Sequence, residues 1–196
     1  MSWYFNMNTA AFGTIKPVKW SAAIWLCWAF FHCAIAAEIP SAADRCVGGV
    51  TETTPSTDFA TVDDGSRVLH KPTTLEWQSC ALGQKWNAAS GICDGKPQIF
   101  SWAQVTRLTA TLTDNWRLPT DTELLSIVEK CHLAPAINTQ VFPNTPGALF
   151  WSASFDKGSV ERIWSVSFFT GKPHRPGKIQ TAKIRLVRGT FKPPAP

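Results

Sequence analysis

The chain of 196 residues has a formal net charge of +5, six cysteines and ten tryptophans. This length gives room for one domain with a sizeable hydrophobic core. The sequence contains no Gly-X-Y repeat, which excludes a collagen-like stalk, and no Gly-rich phosphate-binding loop, which argues against a nucleotide site.

Positive charge is concentrated near the end of the sequence. Acidic residues outnumber basic ones between positions 38 and 156, whereas after position 156 only Glu161 opposes a series of basic residues. We call this series the basic block; it is either an ordinary solvated surface or a contact surface for an anionic partner. Its members are Lys157, Arg162, Lys172, Arg175, Lys178, Lys183, Arg185, Arg188 and Lys192.

The first 37 residues have the layout of a secretory signal peptide. Lys16 and Lys19 precede a continuous apolar run, Trp20 to Ala37, and small residues at the end of that run suit cleavage. We therefore expect export to the periplasm, the cell surface or the medium, with no transmembrane span after cleavage.

Two alternatives to a cleaved signal peptide remain open. The apolar run is near the lower length limit for spanning a bilayer, so a retained membrane anchor is one of them. Lipidation at Cys33 is the other, although Phe30-Phe31-His32 lacks the small residues expected before a lipidated cysteine.

The first part of the mature chain is predicted to be a tether followed by strands. Residues 38–57 are rich in Ala, Ser, Thr and Pro, which is typical of a tether. Two short strands, Phe59–Val62 and Arg67–His70, flank the turn Asp63-Asp64-Gly65, and a third strand is predicted at Thr74–Trp77.

The central part is predicted to hold two helices. Ser101 is a good cap for a helix over 101–109 that places Trp102, Val105 and Leu108 on one face. Thr120 and Glu123 form the capping box of a second helix. That helix is predicted to extend to Cys131-His132, because an apolar stripe continues at helical spacing through Leu124, Leu125, Ile127, Val128 and Cys131.

In the last part of the chain, apolar and polar residues alternate as is typical of β-strands. A Pro/Asn-rich loop over 135–146 precedes strands at 149–155, 162–169 and 183–187. Gly158 and Gly171-Lys172-Pro173 are predicted turns, and residues 190–196 are predicted to be a disordered Pro-rich tail. Strands, two helices and a mainly antiparallel meander indicate an α+β fold.

Four cysteines remain after cleavage, and an exported chain favours two disulfides, with three possible pairings. Cys80 and Cys93 flank a polar loop and can close it locally, which leaves Cys46 to join Cys131. A zinc site from Cys80, Cys93, Cys131 and His132 is the alternative, but no Cys-x-x-Cys pair supports it.

The stretch Trp116-Arg117-Leu118-Pro119-Thr120, with Glu123-Leu124, resembles the signature of the Lcl C-terminal domain family, a bacterial domain of unknown function (DUF1566). The resemblance covers residues 58–189 and implies a C-type-lectin-like fold and a binding or adhesion role. Lys71-Pro72-Thr73 departs from the family pattern, which weakens a tight turn there. Further matching stretches are Asp64–Val68, Thr74–Gln78, Cys80–Gln84, Pro135–Asn138, Phe142-Pro143, Phe150–Ser154 and Arg185–Gly189.

Aromatic residues and carboxylates give further candidate sites. Trp86 lies in the polar disulfide loop and is predicted to be an exposed platform for a ligand, whereas the five other mature tryptophans lie in patterns typical of core residues: Trp77, Trp102, Trp116, Trp151 and Trp164. Asp63, Asp64 and the pair Asp114-Asn115 are possible calcium ligands, but turns explain them equally well. We expect no cofactor.

The sequence also argues against catalysis. Mature histidines occur at positions 70, 132 and 174, and none lies in a nucleophile motif; Ser152 and Ser154 lie in a strand, where hydroxyls are ordinary. We therefore expect a non-catalytic binding module. An envelope enzyme or accessory resembling formylglycine-generating oxidases and a passenger subunit of a surface filament are the alternatives.

The basic block supplies the predicted contact surface. Lys172, Arg175 and Lys178 lie in one predicted loop, and Lys183 and Arg185 share one face of the next predicted strand. Parity places Arg188 on the other face, where we expect it to pair with a carboxylate. The predicted partner is an anionic polysaccharide or another cell-surface component, with self-association possible and no nucleic acid expected.

Overall fold

A computed structural model describes Cys46, residues 51–175 and residues 180–194, without the side chains of residues 159–161. The predicted signal peptide and Lys178 lie outside this part of the chain. Within it, no helix has the length and apolarity needed to cross a membrane.

The fold is α+β, as predicted, with two short helices and mostly antiparallel strands. A 3-10 turn, Ser56–Asp58, precedes the first strand. The helices are α1 (Trp102–Thr109) and α2 (Asp121–Leu125). The strands are β1 (Phe59–Val62), β2 (Arg67–His70), β3 (Leu75–Gln78), β4 (Lys85–Asn87), β5 (Ile92–Asp94), β6 (Phe100–Ser101), β7 (Leu149–Asp156), β8 (Ser159–Ser167), β9 (Lys172–His174), β10 (Thr181–Ala182) and β11 (Val187–Arg188).

A four-stranded antiparallel sheet has the order β1-β2-β3-β11. Val68 lies opposite Trp77, and both are buried, because alternate residues of paired strands share one face. Glu76, on the opposite face of β3, binds both Arg67 and Arg188. The prediction that Arg188 pairs with a carboxylate is therefore confirmed.

A three-stranded antiparallel sheet has the order β7-β8-β9. Lys172–His174 pairs with β8, whereas Gly171-Lys172-Pro173 was predicted to be a turn. The turn covers residues 168–171, so Gly171 lies in it as predicted, whereas Lys172 and Pro173 already belong to β9. The Gly171 amide donates to the carbonyl of Ser167 and closes the turn. The remaining strands form two two-stranded antiparallel sheets, β4-β5 and β6-β10.

Two apolar clusters form the core. The first lies under the four-stranded sheet and includes Trp77, Leu124 and Phe150. The second packs α1 against β7 and β8 and includes Val105 and Trp151. Each fully buried aromatic or aliphatic side chain contributes about 1.5–3 kcal/mol relative to an exposed one, so these clusters supply the main drive for folding.

Helix α2 begins as predicted and ends earlier. The Thr120 hydroxyl accepts from the Glu123 amide (3.2 Å), and the Glu123 carboxylate accepts from the Thr120 amide (2.8 Å), which completes the capping box. The helix ends at Leu125 instead of near Cys131. The Ser126 hydroxyl donates to the Glu123 carbonyl (2.6 Å), and the chain continues in tighter turns that still bury Ile127.

The structure contains both disulfides in the predicted pairing, Cys80–Cys93 and Cys46–Cys131. The first joins the end of β3 to the β4-β5 hairpin. The second fixes the N-terminal segment next to the turn that follows α2. Because all four cysteines are paired, none is free to bind zinc.

Both ends of the described domain pack more closely than the sequence suggested. The Thr53 and Thr54 amides donate to the buried Glu129 carboxylate at 2.7–3.0 Å, so the predicted tether is ordered at its end. Phe191 packs against the first apolar cluster, and the Lys192 amide donates to the Thr73 carbonyl. The tail is therefore packed at its start, in contrast to the predicted disorder.

Candidate ligand-binding sites

Exposed cations lie on β8, on β9 (the last strand of the three-stranded sheet) and directly after β9. We call Arg162, Lys172 and Arg175 the basic edge; all three are exposed. Asp156, at the end of β7, lies 3.9 Å from the Arg162 guanidinium and 3.5 Å from that of Arg175. The Asp156 carboxylate therefore faces two guanidinium groups, so Asp156, Arg162 and Arg175 together carry one unbalanced positive charge.

Arg175 is held in place by an aromatic ring. Its guanidinium lies 4.1 Å from the centre of the Trp164 ring, and its side chain is 50% exposed. A guanidinium stacked on an aromatic face keeps its outward N–H groups available while losing little further conformational freedom on binding. Trp164, predicted to be a core residue, is half-buried and supports this exposed cation.

The structure does not bring all five predicted basic residues together. Lys183 forms a parallel bridge with Phe150 of β7, on the opposite side of the sheet from β9. Two strands therefore separate Lys183 from Lys172. Lys178 lies outside the described residues.

The predicted surface role of Arg185 is wrong, because Arg185 is fully buried. Its guanidinium donates to the carbonyls of Gln78 (2.7 Å) and Ser79 (2.5 Å) and to the Thr145 hydroxyl (2.6 Å), and it lies 4.7 Å from the centre of the Phe142 ring. Burial lowers the pKa of Arg185 to about 9. Arg185 is thus an internal connector between β3 and the loop before β7.

Trp86 lines a cavity of about 400 Å³ between the β4-β5 hairpin and the start of the four-stranded sheet. Its indole N–H donates to the Asp64 carbonyl (3.2 Å), and its ring covers Gly65. A Cβ at Gly65 would lie 2.6 Å from the ring, so glycine is required there for Trp86 to close over the turn. Trp86 is half-buried and is one wall of a cavity, whereas an exposed platform was predicted.

An aromatic groove lies between α1 and the end of β7. We define it by Trp102, Trp116 and Phe155, which line a cavity of about 590 Å³. Trp102 contacts Phe155 edge-to-face, with ring centres 5.8 Å apart, and contacts buried Trp151 in the same way at 5.4 Å. Trp102 and Trp116 were predicted to be core residues and are only half-buried.

A polar pocket of about 710 Å³ continues from the aromatic groove. Trp116 and Arg117 line both cavities, and Asp114 and Asn115 are exposed at the far side of Trp116. Both residues have left-handed backbones, with φ of 55° and 60°, which Asn and Asp tolerate better than other non-glycine residues.

The groove was missed because each of its residues has a plausible core role in its own element. One feature of the sequence does indicate an exposed aromatic residue at this groove. Phe155 continues the alternation of β7 beyond the buried Trp151, directly before a charged turn, so it was a candidate for an exposed aromatic. Its partners Trp102 and Trp116 come from other elements, and no local pattern joins them.

The candidate metal ligands and catalytic residues have local structural partners. Asp63 pairs with Arg67, and an Asp64 oxygen accepts from the Ser66 amide. The Ser152 hydroxyl donates to the Trp164 carbonyl, and that of Ser154 donates to Asp121. Among the described residues, no three His, Cys, Asp or Glu side chains converge to hold a metal ion.

These features define a disulfide-linked α+β domain whose surface carries a basic edge, a tryptophan-lined cavity and an aromatic groove. The family model of the Lcl C-terminal domain matches residues 66–188, and the chain belongs to this family. A comparison with curated proteins finds no match to the chain.

Proposed function

We propose that this protein is an exported, non-catalytic binding module, with a C-type-lectin-like fold, that contacts anionic polysaccharide at the cell surface. The basic edge is the observation that carries the proposal. Arg175 is exposed and supported by Trp164, Arg162 shares its counter-ion, and Lys172 adds a further exposed charge on the same sheet.

Arginine suits sulfate and carboxylate groups, because its planar fork can donate to two oxygens at once. Stacking on Trp164 reduces the conformational entropy that Arg175 loses on binding. Each exposed ion pair contributes only about 0.2–1 kcal/mol, so affinity requires several cations acting together and falls as salt screens them.

The disulfides support export and a non-catalytic role. Structural disulfides form in oxidising compartments. The rival enzyme class relies on a reactive thiol pair. The four described cysteines are instead joined in two disulfides. Thiol counting on the mature protein tests this choice, because two free thiols of low pKa would favour the enzyme. The filament alternative is tested by co-purification with surface filaments.

The polysaccharide proposal is tested by heparin chromatography. The triple variant Lys172→Ser, Arg175→Ser and Lys178→Ser removes three charges from the basic block. We expect its affinity for heparin to fall about tenfold or more at low salt, since three exposed pairs of about 0.5 kcal/mol each are lost.

The matched control removes three exposed lysines outside the basic block, at Lys85, Lys96 and Lys130. It has the same net charge as the triple variant. We expect it to elute close to the wild type. Equal retention of the wild type and the triple variant at low salt contradicts the proposal, and equal losses in both variants show that only net charge matters.

A further inference from the structure

The aromatic groove and the polar pocket beside it form a surface that the proposed polysaccharide contact does not use. We infer that they form one binding site for an uncharged oligosaccharide, with pyranose rings against Trp102, Trp116 and Phe155 and sugar hydroxyls at Asp114 and Asn115. This inference does not depend on the basic edge.

The aromatic walls are held in fixed orientations. Trp102 is fixed between Phe155 and the buried Trp151. Trp116 has the Arg188 guanidinium 4.9 Å from the centre of its ring, and Arg188 is itself held by Glu76. Rigid aromatic rings offer a large apolar area with little conformational entropy to lose, and the C–H face of a pyranose is the apolar surface that such a ring covers.

The charges around the site favour an uncharged ligand. Arg117 forms two hydrogen bonds of 2.7 Å with the Glu123 carboxylate, and Arg188 is paired with Glu76. Glu76 is shared with Arg67, which also pairs with Asp63, so nearby carboxylates balance both guanidinium groups that line the site. Asp114 adds an exposed negative charge. An anionic polymer would be repelled here, in contrast to the basic edge.

The polar end provides the hydrogen-bonding groups that sugar hydroxyls need. A carboxylate accepts and a primary amide both donates and accepts, so Asp114 and Asn115 together can bind neighbouring hydroxyls of one ring. One Asp114 oxygen accepts from the Thr113 hydroxyl at 3.2 Å, and both side chains are exposed. An apolar wall next to such groups matches the two surfaces of a pyranose.

The dimensions fit several sugar units. The two cavities, about 590 and 710 Å³, meet at Trp116 and Arg117. Ligand sites for small molecules are commonly about 300–1,000 Å³, so the combined site suits an oligosaccharide better than a single ring.

The test uses the full chain and three uncharged probes, cellohexaose, chitohexaose and maltohexaose, in isothermal titration calorimetry. We expect at least one probe to bind with a Kd of about 1 mM or lower. Phe155→Ser should weaken that binding about tenfold by removing one aromatic wall, and Asn115→Gly should weaken it several-fold. Glycine accepts the positive φ of residue 115, so the second variant removes the amide without backbone strain.

Phe169→Ser is the matched control. Phe169 is 58% exposed and Phe155 is 51% exposed, and Phe169 does not line the groove. We expect this control to bind the hexasaccharide as the wild type does. If Phe155→Ser does not fold, as judged by near-UV circular dichroism, the Asn115→Gly result decides the question.

Three results would overturn the inference. The first is that none of the probes binds at about 10 mM. The second is that both Phe155→Ser and Asn115→Gly bind as tightly as the wild type. The third is that the wild type is a dimer by light scattering and Phe155→Ser is a monomer, which would assign the groove to a second copy of the chain.

The same experiment separates this site from the basic edge. Binding of an uncharged hexasaccharide should change little between low and high salt, and it should persist in the triple variant of Lys172, Arg175 and Lys178. Heparin binding should show the opposite behaviour in both respects. Either proposal can therefore fail while the other stands.

Discussion

At the scale of single residues, the buried Arg185 is the clearest case of a side chain whose role depends on tertiary structure. Strand alternation placed it with Lys183 on the surface. The chain between β10 and β11 is irregular, and Arg185 turns inward to bind carbonyl groups at the end of β3. Its Nε is one of two buried side-chain nitrogens without a partner among the described residues.

Arg185→Ala should destabilise the fold by about 3 kcal/mol. The substitution leaves the carbonyls of Gln78 and Ser79 and the Thr145 hydroxyl without their donor, and it opens a cavity. Urea unfolding measures the change. Lys183→Ala is the neighbouring control and should cost less than about 1 kcal/mol, since its side chain is partly exposed. Equal stability of the two variants would refute the connector role.

His70 is predicted to make the fold sensitive to mild acid. Burial lowers the pKa of His70, and the carboxylate of Asp58 offsets this only in part. The unfolded state therefore takes up a proton first as the pH falls below about 6.5, and the stability present above that pH is lost as the pH falls through the folded pKa.

The comparison variant is His70→Phe, which keeps a ring stacked on Phe59. The wild type should lose more free energy of unfolding between pH 7 and pH 5 than this variant does, by up to about 1.4 kcal/mol per pH unit. If the free energies of unfolding of the wild type and His70→Phe change equally between pH 7 and pH 5, protonation of His70 does not contribute to acid sensitivity. Glu123 and Glu129 act at lower pH, since hydrogen bonds outweigh burial and hold both pKa values below their ordinary value.

At the scale of elements, local chemistry predicted where elements begin better than where they end. The capping box of Thr120 and Glu123 is present, and β1 and β2 have the predicted bounds. The end of α2 was not predictable from the apolar stripe, because the same buried positions are reached by tighter turns. Those turns bring Glu129 to Thr53, a partner 76 residues away.

Glu129 is predicted to anchor the N-terminal segment. Its carboxylate accepts from the amides of Thr53, Thr54 and Cys131. Glu129→Ala leaves these donors unsatisfied and should cost about 3 kcal/mol. Limited proteolysis of the oxidised protein should then cut near Thr53, because the segment is released between residue 46 and β1.

Glu52→Ala is the control for Glu129→Ala. It removes a neighbouring carboxylate that is partly exposed. Protection of Thr53 should be unchanged in this variant. If Glu129→Ala resists proteolysis as well as the control does, the disulfide alone holds the segment and the carboxylate is not an anchor.

At the scale of the whole molecule, the sequence predicted the α+β class, the two disulfides and the family, because caps, turns and cysteines act locally or in small numbers. The sequence did not predict the candidate binding surfaces. The aromatic groove joins Trp102 of α1, Trp116 of a loop and Phe155 of β7, and the basic edge excludes Arg185. Such sites form where side chains of different elements meet, and the residue pattern within a single element does not predict those contacts.

The Cys46–Cys131 disulfide also determines how the domain carries mechanical load. A pull applied between residue 46 and the last described residues passes through this bond directly to Cys131. The 85-residue separation that it bridges, about 290 Å of extended chain, is then outside the load path. Strands β1 to β6 and both helices are therefore outside the covalent load path, which runs from Cys131 through the three-stranded sheet, β10 and β11. Most of the residues that line the Trp86 cavity, from Ser56 to Gly91, lie within the bridged stretch, whereas Gln140 and Val141 lie on the load path.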